Sequence, residues 1–153
     1  LAVRKALKDR GLPSFVKSTG SRGFHVVVPL RRDHGFDAVR AEARRIADRL
    51  VAAAPDELTT AQRIEKRGGR VFVDVLRNAY GQTAVPPFAV RPRPGAPVAV
   101  TLDWDEVGDR SLGPRSYHLR NVRRRLAQKL DPWRDFARHA RSAAKAAGEM
   151  GDD

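Results

Sequence analysis

Residues 24–30 read FHVVVPL, apolar but for one histidine. The run predicts a strand buried on both faces or a central strand of a sheet. A shorter strand is predicted over residues 14–18. Between the two lies Thr19-Gly20-Ser21-Arg22-Gly23, small and basic, with the composition of a tight turn. Upstream, Ala2, Val3, Ala6 and Leu7 share one helical face, with Gly11 in a C-capping position and Pro13 beyond it. After a polar loop over residues 31–35, Phe36, Val39, Ala43, Ile46, Ala47, Leu50 and Val51 recur at helical spacing, with Arg40, Arg44, Arg45, Asp48 and Arg49 opposite. This is the clearest amphipathic helix of the chain, and Pro55 ends it.

Further on the pattern is more broken. Residues 58–69 are charged and predict a short helix and a loop. Residues 70–75 (RVFVDV) predict a second apolar strand interrupted by one carboxylate, Asp74. The proline-rich stretch 82–97 predicts an extended connection, because Val85, Phe88 and Val90 interleave its prolines. A short strand over 97–102, a helical turn over 103–107, a helix capped by Asn121 through Leu130 and a last helix from Asp131-Pro132 complete the expectation. The order strand, strand, helix, strand, helices is α+β, without the alternation of a doubly wound parallel sheet.

At 153 residues the chain suits one domain with a core. No stretch is apolar for the length a membrane helix needs, and no signal-peptide pattern is present. Cysteine is absent, which excludes disulfides and thiolate metal sites and suits a cytoplasmic protein. The chain starts at Leu1 inside a helical pattern, which we read as the continuation of a longer protein. Thirty Lys and Arg against eighteen acids give a net charge of +12, a field that gathers polyanions. Arginine dominates the excess, and its planar fork pairs with phosphate.

Within that field two segments can carry chemistry. In the turn, Gly20 and Gly23 let the backbone approach a ligand, Thr19 and Ser21 offer hydroxyls, and Arg22 offers a fork. That inventory suits a triphosphate, and it equally suits an ordinary hairpin turn. His25 stands at the entry of the following strand, as a core or edge residue or as a ligand contact. Asp74 inside an apolar strand would cost several kcal/mol if buried unpaired. It therefore pairs with Arg77, meets water at the strand end or holds a metal ion. Asp103 and Asp105 imitate a D-x-D metal motif, but their place before a helical turn assigns them to capping. His34, His118 and His139 have no such context.

Taken in order, these residues resemble the archaeo-eukaryotic primase superfamily, and within it the polymerase domain of the bacterial end-joining DNA ligase D type, stand-alone or fused. The motif S-G-G-K-G-x-H-V-x-x-P-L is met by Thr19 to Leu30 and D-x-x-R-N by Asp74, Arg77 and Asn78. T-A-x-x-P-[YF] corresponds to Thr83 to Phe88, R-x-x-P-G-A-P-V to Arg91 to Val98, W-D-E to Trp104 to Glu106, and D-P-W to Asp131 to Trp133. Thr19 stands where the family has Ser and keeps the hydroxyl; Arg22 replaces a Lys and keeps the charge.

The resemblance implies an incomplete primase-polymerase catalytic domain over residues 1–139, a mixed or antiparallel sheet flanked by helices, and a charged tail over 140–153. It implies a template-dependent nucleotidyltransferase in DNA end joining, using Mn²⁺ or Mg²⁺ in a two-ion reaction. Asp74 would be a metal carboxylate and His25 a nucleotide-contacting catalytic histidine. Thr19, Gly20, Ser21, Arg22, Gly23, Arg77 and Arg91 would bind the nucleotide. Partners would be primer-template DNA or broken ends, NTP or dNTP, and a fused or associated ligase and end-binding protein, at the nucleoid in the cytoplasm. The family's earlier D-x-D would lie upstream of Leu1, so the fragment is expected to be inactive alone. The alternatives are a non-catalytic nucleic-acid-binding module that keeps the fold and a nucleotide-binding regulatory domain without a DNA partner.

Overall fold

The computed structural model describes residues 1–143; the expected charged tail therefore lies outside the described residues except at its start. Along the chain the elements are α1 (Ala2–Lys8), β1 (Phe15–Ser18), β2 (Phe24–Val27), α2 (Phe36–Ala53), β3 (Leu58–Thr59), β4 (Val71–Phe72), β5 (Thr101–Leu102) and α3 (Val122–Gln128), with short 3-10 turns between them. The α+β class holds. The contacts divide the chain into two compact units. The first comprises Pro13–Pro29 and Val85–Ala140; the second comprises Ala2–Leu12, Leu30–Ala84 and the described residues from Arg141 onwards.

In the first unit, β1 is the centre of an antiparallel sheet of order β2-β1-β5. The expectation that the FHVVVPL run forms the central strand is overturned: β2 is an edge strand, half-buried throughout, and it ends at Val27. Pro29 has no N–H to continue a ladder, and apolar residues at an edge cover the core from one side only.

Alternation along β1 separates two faces. Val16, on one, joins Val98, Val100, Leu102 and Val122 in the core, with Phe24, Trp104, Val107, Leu112 and Tyr117 packed around them. Lys17, on the other, lies directly across from His25 on β2 and from Thr101 on β5, so these three side chains form a cross-strand row. Both tryptophans tie down the backbone of this strand region. The Trp104 indole donates to the Ser14 carbonyl (2.8 Å) and the Trp133 indole to the Val16 carbonyl (3.1 Å). Trp133 also stacks on Phe136 at 5.1 Å, and Phe15 meets both rings edge-on.

Two helical expectations are corrected here. Asn121 does not cap α3 with its side chain. It accepts the His118 amide (2.8 Å) and donates to the Ser116 carbonyl (2.9 Å), pinning the loop before the helix. Asp131-Pro132 does not start a long helix. Asp131 accepts the Trp133 amide (2.9 Å) and the Thr101 hydroxyl (2.8 Å), and only a 3-10 turn over Phe136–His139 follows. Local side-chain-to-backbone bonds of Asn and Asp compete with helix formation.

In the second unit, α2 forms as its apolar spacing predicts and buries Ile46, Ala47 and Leu50; Leu7 of α1 and Leu12 are buried in the same unit. Glu42, also buried, is held by Arg45 at 2.6 Å. The predicted strand over residues 70–75 shrinks to Val71–Phe72, which pairs in parallel with Leu58–Thr59. The short helix and loop expected over residues 58–69 thus give way to a strand at Leu58–Thr59, since a two-residue strand carries too little periodicity to read and is selected by its long-range partner.

Candidate nucleotide site

The turn closes on Thr19. The Thr19 hydroxyl donates to the Gly23 carbonyl (2.7 Å), and its Oγ1 accepts the amides of Ser21 (3.2 Å) and Gly23 (3.4 Å). The Thr19 amide also donates to the Gly23 carbonyl, at 3.1 Å. The hydroxyl expected to meet a triphosphate is thus buried inside the turn and braces it, a role Ser would fill equally well. Ser21 and Arg22 remain on the outside. Together with Arg115 and Ser111 they line a shallow open depression of about 590 Å³, where the Arg115 Nε donates to the Ser21 carbonyl at 3.0 Å.

Gly20 has φ +61°, a conformation that costs an L-residue about 1–2 kcal/mol. A Cβ built there would stand 2.7 Å from Arg91 Cγ and 3.3 Å from the Pro97 carbonyl oxygen. The glycine therefore lets the turn and the Arg91 segment touch. Arg91 itself is placed by its amide bond to the Pro97 carbonyl (2.8 Å) and by the Val90–Val98 bridge. We expect Gly20→Ala to lower stability by about 1–3 kcal/mol and to displace Arg91; urea unfolding would show it, and an unchanged midpoint would contradict the close packing.

Sequence reasoning left Lys17 out of the site, although it lies two residues before the turn. Lys17 is 3% exposed, and its ammonium donates to the Val85 carbonyl at 2.5 Å. Burial, reinforced by the nearby Arg91 guanidinium, pushes its pKa down to about 8. The signal was present in the alternation of FVKS, which puts Lys17 on the face opposite Val16. His25, half-buried, stands across from it.

Asp74 and Arg77 belong to the second unit. The structure overturns the buried acid: β4 stops at Phe72, and Asp74 is exposed beyond it, accepting the Leu76 amide at 2.9 Å. Arg77 donates to the Gln82 side chain at 2.9 Å; among the described residues no ion pair joins it to Asp74. Asp74 thus meets solvent at the strand end and is not paired with Arg77.

The capping expected of Asp103 and Asp105 is corrected: neither carboxylate caps the turn over Glu106–Gly108. Asp103 pairs with Lys129 at 2.7 Å, and its amide donates to Glu106 at 2.8 Å. The capping carboxylate is therefore that of Glu106, which reaches back in the manner of a capping box. Glu106 also receives two bonds from Arg125, at 2.5 and 3.0 Å, and Lys129 lies at 3.0 Å. Among the described residues no group of three or more His, Cys, Asp or Glu converges as a metal centre, and no helix is long and apolar enough to cross a membrane.

The chain resembles known proteins in sequence and in fold. A family model described as "LigD, primase-polymerase domain" matches residues 1–133. The multifunctional non-homologous end joining protein LigD of Pseudomonas aeruginosa is 37% identical over 133 residues, covering 86% of this chain and 16% of that protein. The multifunctional non-homologous end joining DNA repair protein LigD of Mycobacterium tuberculosis is 35% identical over 116 residues, covering 76% of this chain and 15% of that protein. The chain thus spans about a sixth of the length of these relatives. Among solved structures, the polymerase domain of Mycobacterium tuberculosis ligase D in complex with DNA superposes with a TM-score of 0.83 at 32% identity, over 91% of this chain and 48% of that one. On the match across most of its length, this chain belongs to the LigD primase-polymerase domain family.

Proposed function

We propose that the chain forms the nucleotide-binding side of a template-dependent nucleotidyltransferase, a polymerase or primase acting in DNA end joining. The observation that carries this reading is the contact of Gly20 with Arg91. It brings a cation from the proline-rich segment against a basic glycine turn far away in sequence. Arginines set beside exposed turn groups can orient a triphosphate and offset its charge, and positioning of this kind is a main protein contribution to phosphoryl transfer. His25 adds a ring nitrogen at the strand entry for the same ligand.

The net charge of +12 supports sequence-independent, salt-sensitive holding of a DNA backbone. By extension from the relatives, the partners are primer-template DNA or broken ends, NTP or dNTP, and a ligase and end-binding protein in a bacterial cytoplasm. Mg²⁺ or Mn²⁺ would activate a primer 3′-hydroxyl and stabilise the departing pyrophosphate. Asp74 fits as one oxygen ligand, but octahedral oxygen ligation needs more. The described residues do not complete such a centre.

The reading is tested by Arg91→Ala. ATP affinity, measured by calorimetry, should fall about tenfold, with duplex DNA binding unchanged within about twofold. An unchanged ATP affinity would remove the triphosphate assignment.

A further inference from the structure

The first unit contains a buried charge that the reading above does not use. Lys17 is almost wholly buried, and its ammonium bonds to a neutral carbonyl, that of Val85. Arg91, close enough to oppose its charge, has an Nε that is buried without a hydrogen-bond partner. Two adjacent cations, one buried and one half-buried, normally draw a carboxylate; among the described residues no ion pair reaches either. The charged or titratable groups around Lys17 are few. His25 faces it from β2, and Arg91 stands on the segment after Val85. On β5, Thr101 lies across from it and donates its hydroxyl to Asp131 (2.8 Å), whose carboxylate also accepts the Trp133 amide.

The bond to Val85 has a mechanical consequence. Val85 opens the stretch that leads to Arg91, and that stretch returns along Pro97 and Val98 to lie against Gly20. Lys17 therefore ties β1, which leads into the turn, to the segment that carries Arg91.

We propose that Lys17 is a positioning residue of the triphosphate pocket: its buried ammonium clasps the Arg91 segment at Val85 and stands behind Arg91 and the turn as a second positive charge that a polyphosphate compensates. The proposal rests on the nucleotide reading above. A bound anion favours the charged form of the lysine, and by linkage the charged form favours the anion. Because Lys17 already loses its proton near pH 8, affinity should be full below that value and fall as pH rises through it.

The test is ATP binding by residues 1–153, followed calorimetrically from about pH 7 to about pH 9, a unit either side of that value. The wild type should weaken by about fivefold to tenfold across the window. Lys17→Met should bind about tenfold more weakly at pH 7 and show no further fall. A folded Lys17→Met that binds like the wild type at pH 7, or that keeps the wild-type pH profile, would overturn the proposal. Should Lys17→Met not fold, the wild-type profile decides: a flat one overturns the proposal as well. Arg91→Ala separates the two claims. If it loses ATP and Lys17→Met does not, only the clasp fails; if neither matters, or the wild type binds no ATP, the nucleotide reading fails with it.

Discussion

Replacing Asp74 by alanine, in a LigD polymerase that carries this segment, is expected to cut nucleotide incorporation by about 10³-fold or more. DNA binding should stay within about twofold, because the residue contributes one charge of the wrong sign for phosphate. Asp74 is exposed and accepts the Leu76 amide, so its loss should move stability by no more than about 0.5–1 kcal/mol. Asp74→Asn separates charge from local structure. The amide oxygen can still accept the Leu76 N–H, yet a metal-bound role needs the carboxylate, so incorporation should fall nearly as far. Primer-extension rates with either variant within about tenfold of wild type would show that Asp74 only stabilises its turn. For the same reason residues 1–153 alone, whose described residues bring no three such ligands together, are expected to show no template-dependent addition.

The second large effect concerns folding. Arg125 has a side chain 9% exposed. It spends its donors on both oxygens of Glu106, on the Thr101 carbonyl (2.8 Å) and on the Tyr117 hydroxyl (2.9 Å), with the guanidinium over the Tyr117 ring at 4.7 Å. Arg125→Met keeps most of the apolar stem and leaves Glu106 with Lys129 as its remaining cation. A cost of about 3 kcal/mol is expected, read as a lower urea midpoint.

The pair also has an acid signature. Burial opposes ionisation of Glu106, but the bonds from Arg125, from the Asp103 amide and from Lys129 outweigh it and hold its pKa at about 2 against an ordinary 4.5. A depressed carboxyl pKa contributes stability above the unfolded value, and that stability is lost as pH falls from about 4.5 towards 2. The wild type should weaken steeply in that window and Arg125→Met much less. Equal acid sensitivity of the two proteins would place the stabilising charge elsewhere.

What could be read from the chain and what could not divide along a physical line. The eighteen-residue helix α2 and the β1-turn-β2 hairpin announce themselves because their signals are local: apolar spacing over several turns in one, two glycines between apolar runs in the other. The ordered series of motifs carried the family, and with it the candidate residues. Burial is not local. Asp74 looked buried because its neighbours are apolar, yet the strand ends two residues earlier, at Phe72. Its length was set by pairing with Leu58–Thr59, a contact no local pattern reveals. Lys17 drew no reading beyond its place in a predicted strand, and it is 3% exposed.

By itself, then, the sequence determined the class, the main helix, the glycine turn and the membership of the LigD primase-polymerase family, since each rests on residue types in order. Only the tertiary structure decided that Thr19 braces the turn, that Gly20 makes room for Arg91, and that Glu106 is locked to Arg125. It also decided that a lysine beside the turn is buried next to another cation. These follow from which distant segments lie against one another, and solvent exclusion and charge proximity exist only after that packing.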